Sequence, residues 1–415
     1  MAKLLYRLRY HLFVFFAVIG PGFITANVDN DSGGIYTYSA AGARYGYLPL
    51  WTLLPITLVL IITQEMCSRM GAVTGKGLSD LIREEFGLRI TFLMMALLVF
   101  VNLTNVMAEF AGVASSLELF HISRYISVPL AAVGVWFLVV KGDYKSTEKV
   151  FLVGCTLYLT YIISGFLVKP DWKEAAIYSV KPVVMLEPGY IYMLIGMVGT
   201  TIAPWMQFYL QSAVVEKGIS VKEYAASRVE VIVGCIFTDV VAFFIIVACA
   251  GAIYSVKPTD IQDASQAALG LKPFGQYAFL LFSAGLLNAS VFAACILPLS
   301  TAYSVCEGLG FESGVNRRIR EAPVFYFLYT SLIVVGAAVT LIPQFPLVTM
   351  ILLSQVLNGM LLPFVLIPMV LLINKRDLMG EWINPRWFNL VTWASVVIII
   401  GVSMAYVGGL IRGVH

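Results

Sequence analysis

Asp29 and Asp31 stand in the run Asn27-Val28-Asp29-Asn30-Asp31-Ser32-Gly33-Gly34, inside an otherwise apolar stretch. A charge at the centre of a membrane helix costs about 2.5–3.5 kcal/mol on insertion scales, so two acids there need a cation or a polar cavity. Gly33 and Gly34 are expected to free nearby carbonyls from helical bonding. Carboxylates with exposed carbonyls make a hard, oxygen-rich site suited to Mg²⁺, Ca²⁺ or Mn²⁺. The string is not an EF-hand loop, because counting from Asp29 puts Ala40 where that loop needs Glu.

A second interruption, Thr200-Thr201-Ile202-Ala203-Pro204-Trp205, lies inside another apolar run. Non-helical backbone at membrane depth is tolerated only where it is packed in protein or lines a cavity. Two broken helices at corresponding places in two halves point to a binding site near the bilayer midplane. Gly34, Thr200, Ala203 and Gln207 flank the interruptions and join Asp29 and Asp31 as candidate ligands. Glu109 and Asp239 are acids within other apolar runs; each is a candidate proton or ion relay, or else a buried, hydrogen-bonded structural acid. Glu65 and Arg69 have the spacing of an ordinary i,i+4 ion pair.

The elements that position these residues follow from composition. The chain has 415 residues, 60% hydrophobic and only 12% charged, with a mean hydropathy of +0.87. No soluble core hides that much apolar surface, so most of it faces lipid. A net charge of +3 is too small for a nucleic-acid footprint. The six Cys form no C-x-x-C pair and read as small core residues. The three His, His11, His121 and His415, form no metalloprotease motif, and no nucleophile–base constellation suggests an enzyme.

About eleven spanning segments are expected, near 12–45, 47–68, 90–118, 125–140, 147–168, 187–215, 228–256, 275–305, 323–342, 347–373 and 387–411. The basic, apolar N-terminus reads as a retained first helix rather than a cleaved signal. With that end cytoplasmic, 19 of the 27 Lys and Arg fall on the inside, which satisfies the positive-inside rule. The expectation is a multi-pass cell-membrane protein, N-terminus in and C-terminus out. It would form one transmembrane domain over 1–415. Segments 1–5 (about 12–168) and 6–10 (about 187–373) form inverted repeats, and about 387–411 is an extra helix.

Several motifs carry a resemblance. Gly20-Pro21-Gly22-Phe23, Asp31-Ser32-Gly33-Gly34, Ala41-Gly42-Ala43-Arg44-Tyr45-Gly46-Tyr47 and Thr74-Gly75-Lys76-Gly77-Leu78 resemble G-P-G-F, D-P-G-N, A-G-A-x-F-G-Y and T-G-K-N-L of the NRAMP divalent-metal transporters, in the same order. Ala108-Glu109, Ser354-Gln355-Val356 and Leu362-Pro363-Phe364 continue the match. The resemblance implies an all-α integral membrane protein of LeuT-type fold and import of Mn²⁺ or Fe²⁺ with protons. It also makes Gln355 a candidate ligand and Asp31 the primary one.

The departures alter that expectation. Gly34 replaces the family's ligand Asn, Ala203 its ligand Met, and Val106 an Asp on segment 3. Trp205 or Met206, and Gln211, stand where the family has His. This pattern resembles the NRAMP-related magnesium transporter branch. Loss of a thioether removes a soft ligand, and small residues leave room for a partly hydrated ion. The leading expectation is therefore a carrier of Mg²⁺ and Mn²⁺, uncoupled from protons. A proton-coupled Mn²⁺/Fe²⁺ symporter and a sodium-coupled amino-acid transporter are the alternatives. The expected partners are divalent metal ions and the lipid bilayer, with no nucleic acid and no cofactor, and a monomer is expected.

Overall fold

The computed structural model describes residues 21–141, 153–315 and 317–411. The expected starts of segments 1 and 5 and the basic N-terminal residues lie outside them. Segment 1 is two helices, α1 (Pro21–Val28) and α2 (Ser32–Tyr45), and segment 2 is α3 (Leu53–Thr74) after a 3₁₀ turn. A short amphipathic α4 (Leu78–Phe86) leads into α5 (Leu88–Glu118), which is segment 3. Segments 4 and 5 are α6 (Arg124–Val140) and α7 (Leu159–Leu167), followed by α8 (Trp172–Val180) in the long loop. Segment 6 is α9 (Pro188–Thr201) and α10 (Pro204–Glu216), and segment 7 is α11 (Tyr224–Cys249). After the short α12 (Ala264–Ala268) come α13 (Ala278–Leu309), α14 (Pro323–Thr340) and α15 (Leu347–Ile373). The turn α16 (Arg376–Met379) precedes α17 (Arg386–Ile411).

Long Leu, Ile, Val and Phe runs become helices because lipid offers no partner to a free backbone group. Among the described residues, eight helical stretches are long and apolar enough to cross a membrane, with Arg124–Val140 and Thr156–Leu167 shorter but apolar. Adding the broken first segment reproduces the expected crossings. Exposed Phe92, Phe100, Leu130, Phe137, Phe327, Leu390 and Val397 form the lipid-facing side of this surface. Gly75 (φ 65°) and Gly310 (φ 79°) end α3 and α13 in the left-handed conformation that glycine adopts without strain.

The helices pack as two groups. In one, α11 packs on α1, α2 and α3, and α10 packs on α3. In the other, α5, α6, α13 and α14 pack on one another. α15 joins them, lying against both α9 and α5. α17 sits at the edge and is mostly exposed. The broken helices thus face the second group across the middle of the molecule.

At the far end of α3, Glu65 and Arg69 form the expected pair at 3.1 Å. Arg69 also donates to the carbonyls of Trp382 and Ile383 at 3.0 and 3.2 Å and to the Asn384 side chain. Tyr224 donates to Glu65, so this ion pair fastens α3 to α11 and to the loop before α17.

Candidate metal site

The first break comprises Asp29, Asn30 and Asp31. Asp31 has extended backbone, and its Oδ1 accepts a hydrogen bond from Gly34 N at 2.9 Å, which makes it the N-cap of α2. Capping starts the helix at once, so Ser32, Gly33 and Gly34 form its first turn. Gly33 and Gly34 themselves are helical, and the open backbone near them is that of residues 29–31.

These glycines serve close approach instead. Gly33 lies against the Gln355 amide. A Cβ at Gly34 would sit 2.5 Å from the Asp29 carbonyl oxygen and 3.6 Å from Thr200 Oγ1. The expectation that Gly34 opens space is corrected, because the Asp29 carbonyl fills it. Asp31, the Asp29 carbonyl and the Thr200 hydroxyl thus converge on one turn of backbone. Thr200 Oγ1 is buried and has no hydrogen-bond partner.

The second break is Ile202 and Ala203, and Pro204 opens α10 at a position that needs no N–H. The two breaks are joined where Tyr38 and Thr201 share a hydrogen bond of 2.6 Å. Ala203 O accepts from Met206 N at 3.1 Å. Its neighbours orient the Gln207 amide so that the NH₂ donates to Ala203 O at 2.6 Å and Pro204 O at 2.8 Å. Ala203 and Gln207 therefore satisfy each other within the first turn of α10.

Gln355 is held by a chain of amides. Asn105 and Asn358 exchange hydrogen bonds of 2.9 and 3.0 Å, and Asn358 Nδ2 donates to Gln355 Oε1 at 3.0 Å. Gln355 Nε2 donates to Ser354 Oγ at 2.9 Å and is the atom closest to Gly33. Gln355 thus turns its nitrogen, not its oxygen, toward Asp31. The tight crossing of α9 and α15, where Gly199 meets the backbone of Gly359, sets this placement.

Glu109 Oε2 accepts from Ser32 N at 3.3 Å, which brings its carboxyl beside Asp31. Ser32 Oγ donates to Ala108 O at 3.0 Å, fixing α2 on α5. Val106 points away, against Gly336 of α14. Asp29 faces Asp239 of α11, because Asn30 beside it is bonded to Thr238, the residue before Asp239. The nine candidates therefore separate. Asp31, Gly34, Thr200, Glu109 and the Asp29 carbonyl meet, with Gln355 beside them. Ala203 and Gln207 are engaged with each other, and the Asp29 side chain and Asp239 form a second pair. Among the described residues no group of three or more His, Cys, Asp and Glu stands ready to hold a metal.

Sequence reasoning missed the residues that position the site: Asn30, Thr238, Tyr158 and Asn358. Asn358 had a readable signal, one helical turn from Gln355. Asn30 and Thr238 each adjoin an acid in an apolar run, but their pairing crosses 208 residues.

A family model described as natural resistance-associated macrophage protein-like matches residues 22–408. The chain belongs to the Nramp family. Among curated Nramp relatives, the divalent metal cation transporter MntH of Nostoc sp. is 26% identical over 404 residues, covering 93% of this chain and 89% of that protein. The MntH of Klebsiella pneumoniae is 23% identical, covering 96% and 95%. A crystal structure of a manganese transporter from Eremococcus coleocola superposes with a TM-score of 0.74 at 20% identity, covering 95% of this chain and 87% of that one. MhsT in complex with L-phenylalanine follows at a TM-score of 0.61 and 14% identity, covering 93% and 98%. The protein is thus an all-α, multi-pass Nramp transporter of divalent metal cations with a LeuT-type fold and broken first and sixth segments, and it is not an enzyme.

Proposed function

We propose that this Nramp transporter carries Mg²⁺, and also Mn²⁺, into the cell as a partly hydrated ion, without protons. One observation carries the reading: the groups converging on Gly34 are one capping carboxylate, one carbonyl and one hydroxyl, all oxygens. Mg²⁺ dehydrates reluctantly and is bound through one or two carboxylates while keeping several waters. Ala203 offers no thioether, its carbonyl oxygen is taken by Met206 N and the Gln207 NH₂, and the Gln355 oxygen is taken by Asn358. Water then completes the shell. Asp31 is the primary ligand, and the positive-inside count favours a cytoplasmic N-terminus.

Proton independence is supported by the residues that stand at the expected relay positions. Val106 faces Gly336, Asn105 is bonded to Asn358, and Trp205, Met206 and Gln211 do not titrate. A proton on the Asp31–Glu109 pair has no onward carrier at these positions.

The nearness of Asp31 and Glu109, whose carboxyl accepts from Ser32 N, favours a second reading, proton-coupled Mn²⁺ transport, because two neighbouring carboxyls hold either a proton or a cation. Proteoliposomes loaded with a pH dye decide between them. With an inside-negative potential, external Mg²⁺ or Mn²⁺ should enter without acidifying the lumen. Metal-dependent acidification that is lost in Asp31→Ala establishes the coupled reading instead.

A further inference from the structure

The transport reading leaves two acids unused. Asp29 is 2% exposed and Asp239 is 5% exposed, and none of their four carboxylate oxygens accepts a hydrogen bond from the described residues. Neither takes part in an ion pair found among the described residues. Their meeting is built into the fold. Asn30, between Asp29 and Asp31, donates to Thr238 Oγ1 at 2.6 Å and to Thr238 O at 3.3 Å. That ties the first break to α11 at the residue before Asp239. On its other side, Tyr158 OH donates to Asn30 O at 2.9 Å, which fixes the break from the 3₁₀ turn that leads into α7.

Apart from Asp31, the other groups facing the pair are neutral. The Thr57 hydroxyl of α3 lies beside Asp239, and Cys235 precedes it by one turn of α11. Tyr38 of α2 is near both acids, but its hydroxyl is shared with Thr201. Thr57 donates its proton to Leu53 O at 2.7 Å, which leaves its oxygen lone pairs free. Two carboxylates with no cationic side chain, in a medium of low dielectric, repel each other strongly. A single divalent cation neutralises both charges. The donors are all oxygens, which suits a hard ion that retains water.

We propose that Asp29 and Asp239 form a second divalent-cation site, between the α1–α2 break, α3 and α11, separate from the one at Asp31. The Asp31 carboxylate is turned toward Gly34 and Glu109, so the two carboxylate groups serve different faces of the break. All the donors of the second site belong to helices that pack in one group, so an ion there holds the break onto α11. The proposal does not depend on Asp31 being the transport ligand.

The test uses the full-length protein, stripped with chelator and equilibrated with Mn²⁺, and counts bound ions by EPR and elemental analysis. Two Mn²⁺ per chain are expected in the wild type, one in Asp239→Asn, one in Asp31→Ala and none in the double variant. Asp29→Asn should behave as Asp239→Asn does and serves if the latter does not fold. Anomalous diffraction from the Mn²⁺-soaked wild type should place one ion between the break and α11. A wild-type Mn²⁺ count that neither Asp239→Asn nor Asp29→Asn lowers overturns the proposal. If Asp31→Ala keeps both ions and full flux while Asp239→Asn loses one, the transport reading fails and the second site stands.

Discussion

Asn358 Nδ2 donates to Gln355 Oε1 at 3.0 Å, and this bond decides which face of the Gln355 amide looks at Asp31. A residue that offers its nitrogen cannot ligate a cation, however well placed it is. Asn358→Ala frees the amide to turn its oxygen toward the site. The expected result in Mn²⁺ flux assays is a lower KM with a modest change in maximal rate. Stability should fall by about 1–3 kcal/mol, because Asn105 loses its buried partner.

Asp31 has two duties, capping α2 and facing the ion, and two substitutions separate them. Asp31→Ala should abolish Mg²⁺ and Mn²⁺ flux and cost about 0.5–2 kcal/mol through the lost cap. Asp31→Asn keeps a capping oxygen, so thermal unfolding should stay near wild type while flux is still lost. Near-normal transport by either variant would place the site elsewhere.

Selectivity among hard divalent ions should be loose. Millimolar Mg²⁺ should compete with Mn²⁺ uptake, and Ca²⁺ should compete poorly because it prefers more oxygens at longer bonds. Ala203→Met adds a soft thioether at the second break. Inhibition of Mn²⁺ uptake by Cd²⁺ should then strengthen on the order of tenfold, and competition by Mg²⁺ should weaken. Unchanged competition curves would mean that position 203 does not face the ion.

Gly34→Asn is not expected to install a working ligand. Its Cβ would sit 2.5 Å from the Asp29 carbonyl oxygen, so the break must shift to accept it. A stability loss of about 1–3 kcal/mol from overpacking and slower Mg²⁺ flux are expected, read by thermal unfolding and proteoliposome uptake. Faster Mn²⁺ transport would show that the break relaxes freely.

Uncoupled entry of a divalent ion moves two charges inward per cycle. Each 100 mV of inside-negative potential then contributes about 4.6 kcal/mol. Uptake should therefore rise with a potassium-diffusion potential at fixed pH and be indifferent to an imposed pH gradient. A rate that follows the pH gradient instead would favour the coupled reading.

The amino-acid order alone determined the crossings, both breaks and the family, because each is a local property: a long apolar run, a glycine pair, a proline, a motif. It also marked Asp31, since an acid in such a run has few other uses. The tertiary structure decided which polar groups are free. Asp29 divides into a carbonyl at Gly34 and a carboxylate at Asp239, because Asn30 is locked to Thr238 on a distant helix. Gln355 and Ala203 stood at ligand positions in the sequence, yet hydrogen bonds from Asn358 and within α10 occupy their oxygens. A hydrogen bond is satisfied in space, by whichever group packing brings near, and one chain position does not reveal that partner.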